Sequence, residues 1–198
     1  MSKTAEFFFD FGSPTTYLAA TQLPRIAAET GAELRWRPML LGGVFKATGN
    51  QSPVLIAAKG RWMMGDIVQW AAHWRVPFAA NPYFPINTLT LMRGAVALQR
   101  FSAADFDRYA YAVFEAMWVG QRNLGDAAEL ERLLAAVGID PAAFAGWVAD
   151  PAVKAALIAN TEEAVERGAF GAPSIFVGDR LFFGQDRLDF VRQALLRG

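Results

Sequence analysis

The sequence predicts an α/β chain in which two β-containing ends, a βαβ half and a ββα half, enclose a large all-α insertion. Three observations carry this reading. Near the start, the aromatic run Phe7-Phe8-Phe9-Asp10-Phe11 has the composition of a strand and breaks at Gly12-Ser13-Pro14, where a helical pattern opens. Near the end, Gly171-Ala172-Pro173-Ser174 leads into a second strand-like run, Ile175-Phe176-Val177. Between about Leu40 and Gly168, apolar residues recur at helical spacing without strand alternation. The expected division is residues 1–39 and 169–198 for the β-containing unit and 40–168 for the insertion, whose last helix, about 151–168, packs back on the sheet.

In chain order, residues 5–11 read as a buried strand. Ser13 is a good N-cap for the helix that follows, and Pro14 stands in the first turn, where a missing N–H leaves no bond unmade. Tyr17, Leu18, Leu23 and Ile26 mark its apolar face, Pro24 sits where a proline can kink it, and Gly31 marks its end. Leu34-Arg35-Trp36-Arg37 alternates apolar and charged residues before Pro38, the pattern of a second strand parallel to the first through a helical crossover. Helices are expected over 53–74, 88–99, 103–119, 126–137, 141–148 and 151–167, with Asp126 and Asp150 as N-caps and Gly138 as a stop. The chain then reads strand 174–177, a Gly178-Asp179 turn, strand 181–183 and a closing helix over 187–196. A strand, a polar turn at a helix N-terminus and a distant X-Pro before a strand form the layout of a thioredoxin-like domain.

Composition narrows the function. The 198 residues suit one domain, or one domain with an insertion, and 54% are hydrophobic, above the usual range of about 45–50%. No apolar run reaches the ~20 residues of a membrane span and no basic-then-apolar leader opens the chain, which points to a cytoplasmic protein without a membrane partner. Nineteen basic and nineteen acidic residues cancel, and no basic tract offers a footprint for nucleic acid. Cysteine is absent and His73 is the single histidine, so disulfides, thiolate metal sites and histidine clusters are excluded and no metal is expected. If a sulfur reacts here, another molecule brings it.

Five segments could carry chemistry. The Ser13 hydroxyl, beside the unpaired N–H groups and positive end of a helix, can help hold an anion such as a thiolate; the same geometry also makes an ordinary cap. A cis bond between Ala172 and Pro173 would turn the Ala172 backbone toward an extended peptide, whereas a trans bond would simply start an edge strand. Within Gly184-Gln185-Asp186-Arg187, Asp186 can cap the last helix or accept hydrogen bonds from a ligand ammonium. The Gly42 to Asn50 segment with Lys46, followed by Lys59, reads as a flexible loop whose Lys and Asn suit an acidic ligand. Asn87, after Phe84-Pro85-Ile86, is a cap candidate and a polar contact beside a slot that Trp62, Trp70, Trp74 and Trp118 could line, although core packing suits most of these tryptophans. His73 sits in the amphipathic stretch Trp70 to Trp74 and does not read as a catalytic base.

Five segments in order resemble the 2-hydroxychromene-2-carboxylate isomerases, relatives of kappa-class glutathione transferases within the DsbA-like thioredoxin superfamily. They are Phe9-Asp10-Phe11-Gly12-Ser13-Pro14, Leu41 through Asn50, Phe84-Pro85-Ile86-Asn87, Phe170-Gly171-Ala172-Pro173 and Phe183 through Leu188. The resemblance implies glutathione as cofactor, a homodimer, and interconversion of 2-hydroxychromene-2-carboxylate with trans-o-hydroxybenzylidenepyruvate in aromatic-compound catabolism, including naphthalene degradation. It implies that Ser13 donates to the glutathione sulfur and that Ala172, before a cis Pro173, pairs with the cysteinyl backbone. Asp186, with Gln185 and Arg187, would hold the γ-glutamyl end, and Asn50 and Lys59 would lie near the tripeptide. Lys46 and Asn87 are candidates for the carboxylate and hydroxyl of a small aromatic-acid substrate. A kappa-like transferase that conjugates an electrophile, or a thioredoxin-like binding module without catalysis, would share much of this pattern.

Overall fold

The computed structural model describes residues 3–197. At its centre runs β1 (Thr4–Phe9), with β2 (Glu33–Pro38) parallel on one side and β3 (Ser174–Val177) antiparallel on the other; β4 (Arg180–Phe183) completes the sheet in the order β2-β1-β3-β4. Both faces of β1 are covered, which is why its residues read as one aromatic run rather than an alternation. Phe7 and Phe9 join the larger core with Leu18, Leu23, Phe114 and Val191, while Phe8 points the other way to Met39, Val44, Ala164 and Phe176.

On the Phe7 face, α1 (Pro14–Thr30) packs against the last helix, α9 (Leu188–Arg197). Gly31 in the left-handed conformation (φ 66°) ends α1, and a glycine carries that dihedral without strain. On the Phe8 face lie α2 (Leu41–Thr48) and α8 (Pro151–Glu166). Two half-buried guanidiniums fasten this layer to the sheet. Arg37 pairs with Glu6 at 3.0 Å and with Glu163 of α8, while Arg167 pairs with Glu6 at 2.8 Å and Glu163 at 3.2 Å and lies 4.0 Å from the Phe176 ring centroid.

The remaining helices are α3 (Ala57–Trp74), α4 (Leu89–Phe101), α5 (Phe106–Trp118), α6 (Ala127–Ala136) and α7 (Pro141–Ala149). Asp126, Asp140 and Asp150 each accept backbone N–H groups at the starts of α6, α7 and α8. No single helix among the described residues is long and apolar enough to cross a membrane.

The structure corrects several boundaries. The first strand stops at Phe9, because Asp10 and Phe11 turn their backbone away from the sheet. The Gly42 to Asn50 segment is not a flexible loop: residues 41–48 form α2, closed by Gly49 at φ 73°. Short 3-10 turns at Pro53–Leu55 and Ala103–Asp105 replace the expected helical starts, so α3 begins at Ala57 and α5 at Phe106. The closing helix follows another such turn, Gln185–Arg187, at which no side chain caps the backbone; Asp186 is therefore not the helix cap.

Candidate active site

The end of β1 is held from three sides before the chain enters α1. Trp118, fully buried, donates from Nε1 to the Phe11 carbonyl at 2.8 Å. The Asp10 carboxylate accepts the Gly12 N–H at 2.8 Å with one oxygen and the Leu41 N–H at 2.7 Å with the other, and the buried Thr88 hydroxyl also bonds it. Burial pushes the Asp10 carboxyl above its ordinary range, offset in part by those hydrogen bonds. Gly12 permits this crowding, since a Cβ there would lie 3.1 Å from Thr88 Cγ2. The turn that presents Ser13 is thus tied at once to β1, to α2 and to the start of α4.

Ser13 caps α1, accepting the Thr16 N–H at 3.2 Å, and is 6% exposed. Its Oγ lies 3.0 Å from the Ala172 carbonyl oxygen and 2.9 Å from Thr15 Oγ1, and Thr15 Oγ1 itself donates to the same carbonyl at 3.2 Å. Two hydroxyls therefore share one acceptor, and either can satisfy it. The Ala172–Pro173 bond is cis. Ala172 contributes to the site in two ways: its carbonyl faces Ser13, while its N–H has no partner among the described residues.

A third segment closes on these two. The Gly184 N–H donates to the Pro173 carbonyl at 3.1 Å, which sets the Gln185–Arg187 turn beside the cis bond. Gly184 adopts φ 98°, a conformation side chains avoid. Gly171 is equally constrained, because a Cβ there would come within 2.7 Å of the Phe183 ring. Gln185 is buried, whereas Asp186 and Arg187 are exposed and paired at 3.1 Å. Across from them, Asp66 on α3 has its carboxyl raised by burial and by the negative charge of Asp186. Asn50, just past α2, donates to the Phe170 carbonyl at 2.7 Å and so reaches the same loop.

The structure brings Ser13, Ala172, Pro173, Gln185, Asp186, Arg187 and Asn50 to one rim. Lys59 is exposed on α3 without a hydrogen bond or ion pair among the described residues. Asn87 is exposed and uses its Oδ1 on the Leu89 N–H at 3.0 Å, so it acts as a cap at the start of α4. Lys46 lines a separate cavity with Gly43 and Ala47, and Ser13 does not line it. Of the tryptophans, Trp118 is core, Trp70 and Trp74 pack partly buried against it, and Trp62 is 71% exposed. His73 is exposed on α3, its ring edge-on to Trp70.

Sequence reasoning missed Asp10, Thr15, Asp66 and Thr88. Asp10 did carry a signal, a lone acid inside a run of phenylalanines. Thr15, Asp66 and Thr88 carried none, because their roles depend on partners brought near only by folding.

A hydroxyl at a helix N-terminus, set against the residue before a cis proline and with no cysteine in reach, defines a cysteine-free member of the DsbA-like thioredoxin class. Residues 4–196 match the family model described as "DSBA-like thioredoxin domain". A 2-hydroxychromene-2-carboxylate isomerase of Sphingobium xenophagum is 34% identical, over 99% of this chain and 100% of that protein. The human glutathione S-transferase kappa 1 is 29% identical, over 98% of this chain and 92% of that protein. A solved structure of 2-hydroxychromene-2-carboxylate isomerase superposes with a TM-score of 0.86 at 26% identity, covering 98% of this chain and 95% of that one. Within the DsbA-like class, the chain belongs to the 2-hydroxychromene-2-carboxylate isomerase family.

Proposed function

We propose that this protein is a glutathione-dependent isomerase that interconverts 2-hydroxychromene-2-carboxylate and trans-o-hydroxybenzylidenepyruvate in the breakdown of aromatic compounds. The observation that carries the proposal is the Ser13 hydroxyl at the start of α1, 3.0 Å from the Ala172 carbonyl, in a chain with no thiol of its own.

Two features of the rim support a tripeptide ligand. An unpaired Ala172 N–H beside the cis Pro173 suits an extended peptide backbone, and the two carboxylates Asp66 and Asp186 favour an ammonium between them. Gln185, Arg187, Asn50 and Lys59 complete the set of groups proposed to hold it. Bound glutathione supplies the nucleophilic thiol that adds to and leaves a conjugated side chain, which lets a double bond of the substrate rotate.

The chain's own residues lower the cost of the sulfur anion. Ser13 already accepts the Thr16 N–H, so its proton is the group it has to offer. Thr15 takes over the Ala172 carbonyl when that proton turns away, leaving no buried acceptor orphaned. A hydrogen bond to a charged group contributes about 1.5–3 kcal/mol and a helix N-terminus about 0.3–1 kcal/mol. At about 1.4 kcal/mol per unit, the two together lower a thiol pKa from about 8.5 by about two units, enough to make the anion the major form at pH 7.

The substrate is proposed to enter between this rim and the start of α4. Asn87 keeps its amide free there, and Lys46 is the weaker of the two proposed substrate contacts because it faces another cavity. The proposal includes a cytoplasmic homodimer, for which the exposed side chains of Leu55, Ile56 and Trp62 are candidate contacts; light scattering reads the mass directly.

The test is the absorbance change of the chromene carboxylate with and without glutathione. Turnover only with the thiol is expected, and equal rates without it overturn the cofactor's role. The human kappa transferase likeness favours conjugation as the second reading. Mass spectrometry separates the two, because isomerisation leaves the product mass unchanged while conjugation adds the tripeptide.

A further inference from the structure

A cavity of about 620 Å³ lies between α2, α4 and α8, and none of Ser13, Thr15, Ala172 or Gln185 lines it. Its inner wall is apolar, formed by Leu40, Leu89, Leu157 and Val165. Arg93 of α4 and Lys154 of α8 line it half-buried, and Lys46 of α2 stands exposed at its rim. Glu162 and Glu166 also line it, but both are exposed, so the charge furthest from water is positive.

None of these five charged side chains takes part in an ion pair among the described residues. Arg93 Nε is fully buried and has no hydrogen-bond partner among them. The contrast with the sheet face is direct: Arg37 and Arg167 each meet two carboxylates there. An inward-set guanidinium without a carboxylate partner beside an apolar wall favours an anion at its reachable nitrogens, Nε itself being closed even to water.

We infer that this cavity is a second ligand site, for an organic anion that joins a carboxylate to an apolar body about the bulk of two fused rings. Its volume lies within the usual range for small-molecule sites, about 300–1,000 Å³. The carboxylate meets Arg93, with Lys154 and Lys46 adding charge, and the apolar body lies on Leu40, Leu89 and Leu157. Thr161 is already committed, accepting the Leu40 N–H and donating to the Leu157 carbonyl, so it shapes the wall without recognising the ligand. Leu40 and Leu89 adjoin Leu41 and Thr88, which hold Asp10. The site therefore backs onto the Ser13 turn without sharing its polar groups, Lys46 at the cavity rim being the one residue also proposed as a substrate contact.

Calorimetric titration of the full chain with 2-naphthoate, and in parallel with decanoate, tests this, with the glutathione-dependent isomerase assay run on the same samples. Wild type is expected to bind at least one of the two acids. Arg93→Gln and Ile158→Trp, the latter filling the mouth, are each expected to weaken that binding at least tenfold while turnover stays within twofold. Tighter binding of the ring acid assigns the site to aromatic acids, and tighter binding of the chain acid assigns it to fatty acids. Absence of binding by either acid, or unchanged affinity in both variants, overturns the proposal. Parallel loss of turnover and binding also overturns it, by making the cavity part of the catalytic site. Circular dichroism checks the fold of Arg93→Gln; should that variant unfold, Ile158→Trp alone decides. Failure of the isomerase reading is read separately, as no turnover in wild type while naphthoate or decanoate still binds.

Discussion

The rim around Ser13 and the cavity around Arg93 both suit an anion, yet they are built from opposite materials. At the rim the donors are neutral: a hydroxyl, a helix N-terminus and a free backbone N–H, with the nearby Arg187 already paired to Asp186. In the cavity they are formal charges without carboxylate partners. Neutral donors in a buried setting contribute a few kcal/mol, which is the scale needed to shift a thiol by a unit or two and still release it. Formal charges against apolar walls hold a permanent anion instead. Asp10 joins the two regions, since one oxygen holds Gly12 on the rim side and the other holds Leu41, next to the cavity wall.

The largest expected effect comes from breaking that link. Asp10→Ala leaves the Gly12 and Leu41 N–H groups unpaired and should cost about 2–4 kcal/mol of stability by urea unfolding, with turnover falling as the Ser13 turn loosens. Ser13→Ala comes next. It should lower turnover about a hundredfold, the scale of one lost donor to a developing anion, and should raise the pH at which the rate climbs by up to two units. Its cost to stability should be only about 1 kcal/mol, as for a lost cap. Thr15→Val removes the hydroxyl that relieves Ser13 and should cut kcat about tenfold, equivalent to ~1.4 kcal/mol, with little change in KM for glutathione.

A smaller effect is the pH dependence of stability. The Asp10 carboxyl titrates higher folded than unfolded, so over that interval the folded chain binds more protons and stability falls as pH rises. The contribution is whole below the unfolded value of 3.8 and is lost as pH passes the higher folded value. Urea midpoints of Asp10→Asn should lack this part of the slope, and an unchanged slope would place the charge elsewhere. The smallest effect is on catalysis in Arg93→Gln, where turnover within twofold of wild type keeps rim and cavity apart.

Much of the rim was legible because its features are local. Ser13-Pro14 after a broken strand encodes a capped helix within a few residues, and Gly171-Ala172-Pro173 marks the facing loop. Asp186 misled as a cap, because Gly184 at φ 98° directs the chain into a 3-10 turn before α9 begins. The glycines of α2 misled as signs of flexibility. A Cβ on Gly43 would lie 3.1 Å from Thr161 Cγ2, so that glycine marks close approach to α8, and the face it shares with Lys46 and Ala47 turns Lys46 toward the Arg93 cavity. A cap or a strand break can be read in a short window; the face on which a helix packs cannot.

The amino-acid sequence alone determined the order of the strands and of every helix but α2, the hydroxyl at the start of α1 and the absence of a thiol, since each follows from local pattern or from composition. Tertiary structure alone decided that Asp66 faces Asp186, that Thr88 holds Asp10 and that Arg93 lines a cavity away from Ser13. Gly94 shows the reason in one place. A Cβ there would lie 2.4 Å from Phe144 and 2.5 Å from the Tyr109 hydroxyl, so α4, α5 and α7 meet where a side chain is missing. Such contacts join residues far apart in the chain through packing at van der Waals distance, and no short stretch of sequence contains both partners.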